Sequence, residues 1–330
     1  MSTFQSLPNN LIVETLHGCC ILYDTKVILC WNDYYDYVID VIRSVIKELN
    51  TYESNLKVNI IVNCYHSITH EHDFKNNNKT VSVFIYEEHT IISKGAHNYD
   101  KYCADTKIIN QNNSDIVELY KITMQTEGII NNSDIIINYS SVNQLNFKIS
   151  MDFKFIYKKM VVINPLIYPY YNEIGNRTIH CLTTFLYPDR PQKRIDFLNK
   201  IRENGINHVN INTCNSTEDF INLYRNTKIL INIHQTFFYH TIEELRILPA
   251  LMCGVIVICE EGPLKEYIPY HDYIIWTTND NMIQTIRDVE QNYESLHNKF
   301  FSGSRLSNLL EIMAESNKHE LYDKIISKIL

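Results

Sequence analysis

HTIEELRILPALMCGVIVICEEGPLKEYI, residues 240–268, is the stretch on which the fold turns. Leu245, Leu248, Leu251 and Met252 recur at helical spacing behind Glu243, Glu244 and Arg246, which predicts a helix over 243–253 with charges in its first turn. Gly254 ends it. The run from Val255 to Cys259 is short, continuous and rich in β-branched residues, as expected of a strand buried on both faces of a parallel sheet. Glu260, Glu261 and Gly262 follow at its carboxyl end. Ligands of open α/β sheets lie in the crevice at the carboxyl ends of the strands, so these charges emerge where a ligand would sit. A second helix is expected from Pro263, because proline suits a first helical position. Taken alone, Glu244 and Arg246 also fit solvated first-turn charges, with the glutamate complementing the helix dipole. Two acids directly after a buried strand are harder to read that way.

Working outward, the second half alternates regularly. Strands are expected over 178–185, 208–212, 228–234, 255–260 and 273–276, interleaved with helices near 191–204, 217–226, 243–253, 263–268 and 279–295. Five βα repeats at this spacing mean a parallel, doubly wound sheet. Two helices, near 304–315 and 318–329, close the chain, and the last is expected to pack back on the first half. In that first half, strands are expected over 26–30, 57–64, 81–86 and 134–139, after a short β segment around 11–23. The clearest helix, 35–49, carries Val38, Ile39, Val41, Ile42, Val45, Ile46 and Leu49 on one face. With its flanking strands it makes a right-handed βαβ unit. KMVVINPLIYPY, residues 159–170, reads as a strand followed by two prolines, and places a boundary near 165–176. The expectation is an α/β protein of two Rossmann-like, doubly wound domains facing a cleft, 1–170 and 171–330.

Composition narrows the function classes. A chain of 330 residues accommodates two domains, and 45% hydrophobic with 21% charged residues describes a soluble globular protein. The net charge of −8 argues against a general nucleic-acid binder. No apolar run approaches the ~18 residues of a membrane helix, and the start MSTFQSLPNN lacks the regions of a signal peptide. A cytoplasmic protein, or one peripheral to a membrane, is expected. Nine cysteines include no CxxC pair, so neither a disulfide framework nor a cysteine zinc site is indicated. Cys253 and Cys259 read as core. The absence of GxGxxG and GxxxxGK[ST] removes the dinucleotide fingerprint and the P-loop.

Candidate chemistry concentrates in two places. LYPDRPQKRIDFL, residues 186–198, puts Arg190, Lys193 and Arg194 at or just inside a helix start, where cations oppose the dipole unless an anion is present. A diphosphate supplies that anion; a solvated basic loop is the alternative. In the first half Asp33 follows the first strong strand, and it reads either as a general base or as the cap of its helix. His17, His89 and His97 are weaker candidates. His66, His70 and His72 lie in a polar, loop-like run without a zincin-type motif, so no metal site is expected.

These residues together resemble glycosyltransferases of the GT-B fold. The similarity is nearest to the C-terminal domain of the family 1/4 group and its spore-protein-like relatives; it spans roughly 175–295 and is strongest over 240–276. The resemblance implies that the second domain binds a nucleotide-sugar donor and the first a glycan, lipid or protein acceptor, without a metal, a further cofactor or a nucleic-acid partner. Carried over, Arg190, Lys193 and Arg194 meet the diphosphate, while Arg246, Glu260, Glu261 and Gly262 line the donor site. Asp33 and Glu244 are the catalytic candidates. One departure stands out: retaining members carry two glutamates at positions occupied here by Thr241 and Pro249. A nucleotide-sugar epimerase of the same architecture and a catalytically inactive relative therefore stay beside a hexosyltransferase-type enzyme as readings.

Overall fold

The computed structural model describes residues 11–24, 32–53, 55–64, 77–86, 103–107, 119–123, 127–149, 154–185, 191–211, 214, 216–237 and 240–330. The chain opens with a hairpin of β1 (Leu11–Leu16) and β2 (Cys19–Asp24). His17 and Gly18 turn it, both with positive φ, at 51° and 80°. Two-residue hairpin loops require that backbone to match the strand twist. The long helix α1 (Asn32–Tyr52) follows, and Val38, Ile39, Ile42, Val45, Ile46 and Leu49 are all buried along it. Next come β3 (Val58–Cys64), β4 (Lys79–Tyr86), and an antiparallel pair, β5 (Cys103–Lys107) with β6 (Leu119–Thr123), in a sheet of its own. The first half continues through α2 (Glu127–Asn132), β7 (Ile135–Asn138), α3 (Ser141–Ile149), α4 (Lys154–Lys159) and β8 (Met160–Val162). Its main sheet has the order β1-β2-β3-β4-β7-β8, parallel throughout except for the opening hairpin. The segment expected as a strand over 26–30 lies outside the described residues.

The second half contains β9 (Ile179–Thr183), α5 (Gln192–Glu203), β10 (His208–Asn210), α6 (Thr217–Arg225), β11 (Thr227–Asn232), α7 (Glu244–Met252), β12 (Ile256–Glu260) and β13 (Ile274–Thr277). These strands form one fully parallel sheet in the order β10-β9-β11-β12-β13. The chain steps outward from β9 to β10 and then crosses back to β11, so the strand order reverses between β9 and β11. Such a switch point opens a crevice at the carboxyl ends of the strands.

Three helical expectations need correction. The helix foreseen from Pro263 is only a single 3-10 turn, Lys265–Tyr267, because Leu264 adopts a left-handed φ of 65° that breaks helical continuity. The helix foreseen over 279–295 divides into α8 (Met282–Gln291) and α9 (Tyr293–Phe301), with Asn292 capping one and starting the other. The two last helices are one, α10 (Arg305–Ile329), since no glycine or proline interrupts the chain between them.

The last helix ties the halves together. It packs on α1, β8 and β4, and its Leu321, Ile325 and Ile329 belong to the apolar core of the first half. Leu245 of α7 joins that core too, while Val142 of α3 is packed in the core of the second. Among the described residues no helix is long and apolar enough to cross a membrane.

Candidate functional site

The switch-point crevice collects most of the charged residues singled out in the second half. Lys193 and Arg194 stand in the first turn of α5, after β9, and both are almost fully buried. Lys193 Nζ donates to both carboxylate oxygens of Glu260, at 2.7 and 2.8 Å. The anion expected to offset this cation against the helix dipole is thus partly supplied by the protein. Glu260 ends β12 and also accepts from the backbone N–H of His234, at 2.9 Å. Glu261 pairs with Lys265 at 2.6 Å. Gly262 brings backbone close to its surroundings: a Cβ there would stand 3.1 Å from the carbonyl oxygen of His240.

Arg194 is less fully engaged. Its guanidinium lies 4.6 Å from the centre of the Phe185 ring, and Nη2 donates to the carbonyl of Ile233 at 3.3 Å. Its Nε is buried with no hydrogen-bond partner among the described residues. Burial first, and then the charge of Arg246, lower its pKa to about 10, so it remains charged at neutral pH. Arg246, in the first turn of α7, places its buried Nη1 3.8 Å from Glu243, and that nitrogen makes no hydrogen bond among the described residues. Three cations, Lys193, Arg194 and Arg246, therefore share this corner with two carboxylates, Glu243 and Glu260. Buried polar atoms are almost always hydrogen-bonded, so Arg194 Nε and Arg246 Nη1, which make no hydrogen bond among the described residues and stand beside a positive excess, mark a place suited to an anion.

The two residues expected to be catalytic sit elsewhere, at the junction of the halves. Glu244 has no exposed surface. Its Oε1 accepts from Ser140 Oγ at 2.5 Å, and Oε2 accepts from Tyr270 at 2.5 Å and from Asn164 at 3.3 Å. Ser140 precedes α3 and Asn164 follows β8, so a second-half carboxyl is seated in a first-half polar nest. Burial pushes its pKa up to about 7, against the pull of those hydrogen bonds. Asp33 in α1 accepts from the Tyr168 phenol at 2.9 Å through one oxygen, and from Thr217 at the start of α6 through the other. The Tyr168 phenol is driven upward by burial and then by the Asp33 charge.

Arg190, His66, His70, His72, His89 and His97 lie outside the described residues, and His17 is an exposed turn residue. Among the described residues no group of His, Cys, Asp and Glu side chains has the arrangement of a metal site. Sequence reasoning passed over His234, just beyond β11, and the interface partners Ser140, Asn164, Thr217 and Tyr270. His234 was findable by the rule that selected Glu260, since it too follows a buried apolar run, ILINIH, at a strand's carboxyl end.

No protein-family model and no curated protein sequence matches the chain. Solved structures do. A trehalose-6-phosphate synthase studied for glycosyltransfer with retention matches with 9% identity over 99% of this chain and 91% of that one, at a TM-score of 0.43. A UDP-forming α,α-trehalose-phosphate synthase from Burkholderia vietnamiensis matches with 8% identity over 97% and 91%, at 0.45. The glycosylation-associated protein complex Gap123 from Streptococcus agalactiae matches with 11% identity over 88% of this chain and 58% of that one, at 0.40. At such identities no residue role passes from them to this chain.

Proposed function

We propose that the protein is a glycosyltransferase of GT-B type that holds the diphosphate of a nucleotide-sugar donor at the switch point of its second sheet. The observation that carries this reading is the pair of guanidinium groups of Arg194, which is buried, and Arg246, which is partly exposed, each with a buried nitrogen that makes no hydrogen bond among the described residues; Arg246 Nη1 faces Glu243 at 3.8 Å. When a glycosidic bond to a nucleoside diphosphate breaks, negative charge accumulates on the departing phosphate. Preorganised cationic donors in a water-poor site stabilise that charge more than they stabilise the ground state. Arginine suits the task because it stays charged and offers several donors in one plane. Charge neutralisation by these side chains is assigned here in place of a metal ion. The acceptor, a hydroxyl-bearing glycan, lipid or protein, would approach from the first half.

A second reading has support of its own. Pro249 replaces a glutamate of the retaining pattern, and Glu244 is sealed in the junction. A protein that binds nucleotide sugars without turning them over fits these two facts. The experiment is a titration of UDP, GDP, ADP and CDP, and of their sugar conjugates, followed by thermal unfolding and by release of nucleoside diphosphate. Saturation at about 100 times the dissociation constant stabilises the fold by ~2.7 kcal/mol. Arg246→Ala and Arg194→Lys should each weaken binding roughly 10- to 100-fold, as loss of charge-assisted hydrogen bonds predicts. Release of diphosphate in the presence of an acceptor supports transfer; binding without release supports the second reading. If no nucleotide shifts the midpoint, the anion site is refuted.

A further inference from the structure

His234 follows β11 at the carboxyl end of the sheet and is 3% exposed; its backbone N–H serves the anion site through Glu260, while its ring is assigned no role there. Its Nε2 lies 3.0 Å from the carbonyl oxygen of Glu261. A carbonyl only accepts, so Nε2 carries the proton and Nδ1 presents a lone pair. Burial holds the ring in its neutral form, which fixes that tautomer. Nδ1 is buried and has no hydrogen-bond partner among the described residues, and the same holds for Oδ1 of Asn232, two residues earlier in the chain.

The position of the ring is set from both sides. Its own backbone N–H is held by Glu260, and the carbonyl of the preceding Ile233 receives Arg194. The two unpaired acceptors thus belong to a strand end whose Ile233 carbonyl receives Arg194 and whose His234 N–H is held by the carboxylate that pairs with Lys193. An anion alone satisfies only the donors. A ligand that satisfies both sets carries hydroxyl hydrogens beside its negative charge, which is the chemistry of a sugar or ribose attached to a phosphate.

We propose that His234 is a specificity-determining residue whose Nδ1 accepts a hydrogen bond from a hydroxyl group of the bound nucleotide sugar, with Asn232 Oδ1 as the neighbouring acceptor. This rests on the anion-site reading above. In the present arrangement Nδ1 is covered, and the wall against this ring is close: a Cβ on Gly262 would lie 3.5 Å from His234 Cε1 and 3.1 Å from the His240 carbonyl. Contact between a ligand hydroxyl and the ring therefore requires this wall, in which Thr241, Ile242 and Glu243 are buried, to yield, and the titration below reads whether it does.

The test is calorimetric titration of the full chain and two variants. His234→Gln keeps a donor for the Glu261 carbonyl and removes the acceptor at Nδ1; His234→Asn does the reverse. The titrants are pyrophosphate, the nucleoside diphosphates, their 2′- and 3′-deoxy forms, and the glucose conjugates. Pyrophosphate should bind all three proteins alike. His234→Gln should lose roughly tenfold for compounds that supply the hydroxyl, the scale of one neutral hydrogen bond, and His234→Asn should retain most of the affinity. A loss seen with a nucleoside diphosphate but not with its deoxy form assigns the ribose; a loss confined to the conjugate assigns the transferred sugar. Equal affinity of wild type and His234→Gln for every nucleotide overturns the inference and leaves the anion site standing. A parallel loss for pyrophosphate also overturns it, since His234 would then only shape the anion site. If the wild type binds none of the titrants, both readings fall.

Discussion

Glu244 shows what burial does to a single carboxyl. Its ordinary pKa is 4.5 and its folded value is about 7, because removal from water outweighs the hydrogen bonds it accepts. The unfolded chain ionises it near pH 4.5 while the folded chain keeps it neutral. The stability this group contributes is therefore complete below pH 4.5 and is lost as pH rises through 7. The loss over that window is on the order of 3 kcal/mol. Glu244→Gln, neutral at all pH, should flatten this dependence: the variant is expected to be at most as stable as wild type at pH 5 and more stable at pH 8, by denaturant unfolding. Parallel curves for the two proteins would show that Glu244 does not titrate. Gly254 is a second residue whose role depends on what surrounds it. Its φ is 69°, and a Cβ would approach the Tyr171 carbonyl to 2.7 Å and Arg177 Nη2 to 2.8 Å. That guanidinium is fully spent on backbone carbonyls, including those of Thr227 at 2.7 Å and Cys253 at 2.9 Å. Gly254→Ala should cost about 2–3 kcal/mol, read as a lowered denaturation midpoint. The sequence placed Gly254 at a helix end correctly, but the segment from Tyr171 to Arg177 that crowds it comes from elsewhere in the chain. Glu244 was misleading for the same reason: its spacing marked the start of α7, and nothing local reveals that Ser140 and Asn164 close over it.

At the level of elements, apolar runs with one consistent period were legible. The stretch 240–268 predicted α7 and β12, and the parallel α/β class that their neighbours form, because both segments are buried nearly throughout. Polar and mixed segments were read less well. Pro263 pointed to a helix, yet the left-handed Leu264 confines the chain there to one tight turn. Two helices, near 304–315 and 318–329, were expected where α10 runs unbroken: nothing at 316–317 opposes helix, and Asn317 is buried against Asn164 at 3.2 Å. The consequence is a single 25-residue helix whose far end serves the first half. Leu321, fully buried in that foreign core, should cost about 2–5 kcal/mol when replaced by alanine, through lost transfer energy and the cavity left behind. Ile312, 67% exposed on the same helix, should change stability by less than ~0.5 kcal/mol when replaced by serine. Equal effects at the two positions would contradict this placement of α10.

Across the whole molecule the two halves are joined by connections of different kinds. The apolar connections are α10 and Leu245 in the first core and Val142 in the second. Among the polar ones are Glu244 in its nest of Ser140 and Asn164, Asp33 held by Tyr168 and Thr217, and the contacts of α10 through Asn317 with Asn164 and Lys318 with Glu48. The Glu244 connection is sealed, so cutting it exposes unpaired groups to a dry interface and reads out as lost stability. The Asp33–Thr217 contact is exposed and carries little net energy, so it biases the arrangement of the halves more than it holds the fold. If the donor binds best when the halves are drawn together, weakening this contact lowers the competent fraction and raises the apparent dissociation constant by the same factor. Asp33→Ala should then weaken nucleoside diphosphate binding about two- to tenfold, with an increase in radius of gyration by small-angle scattering and an unfolding midpoint within a few degrees of wild type. Thr217→Ala, which leaves the Tyr168–Asp33 hydrogen bond in place, should do the same to affinity and shape, and the double variant should add little to Asp33→Ala, in which the contact with Thr217 is already lost. A general base behaves differently: losing it lowers turnover while affinity and shape stay as they were. Unchanged affinity with reduced turnover in Asp33→Ala, and no effect in Thr217→Ala, would return Asp33 to the base role and remove it from the connection between the halves.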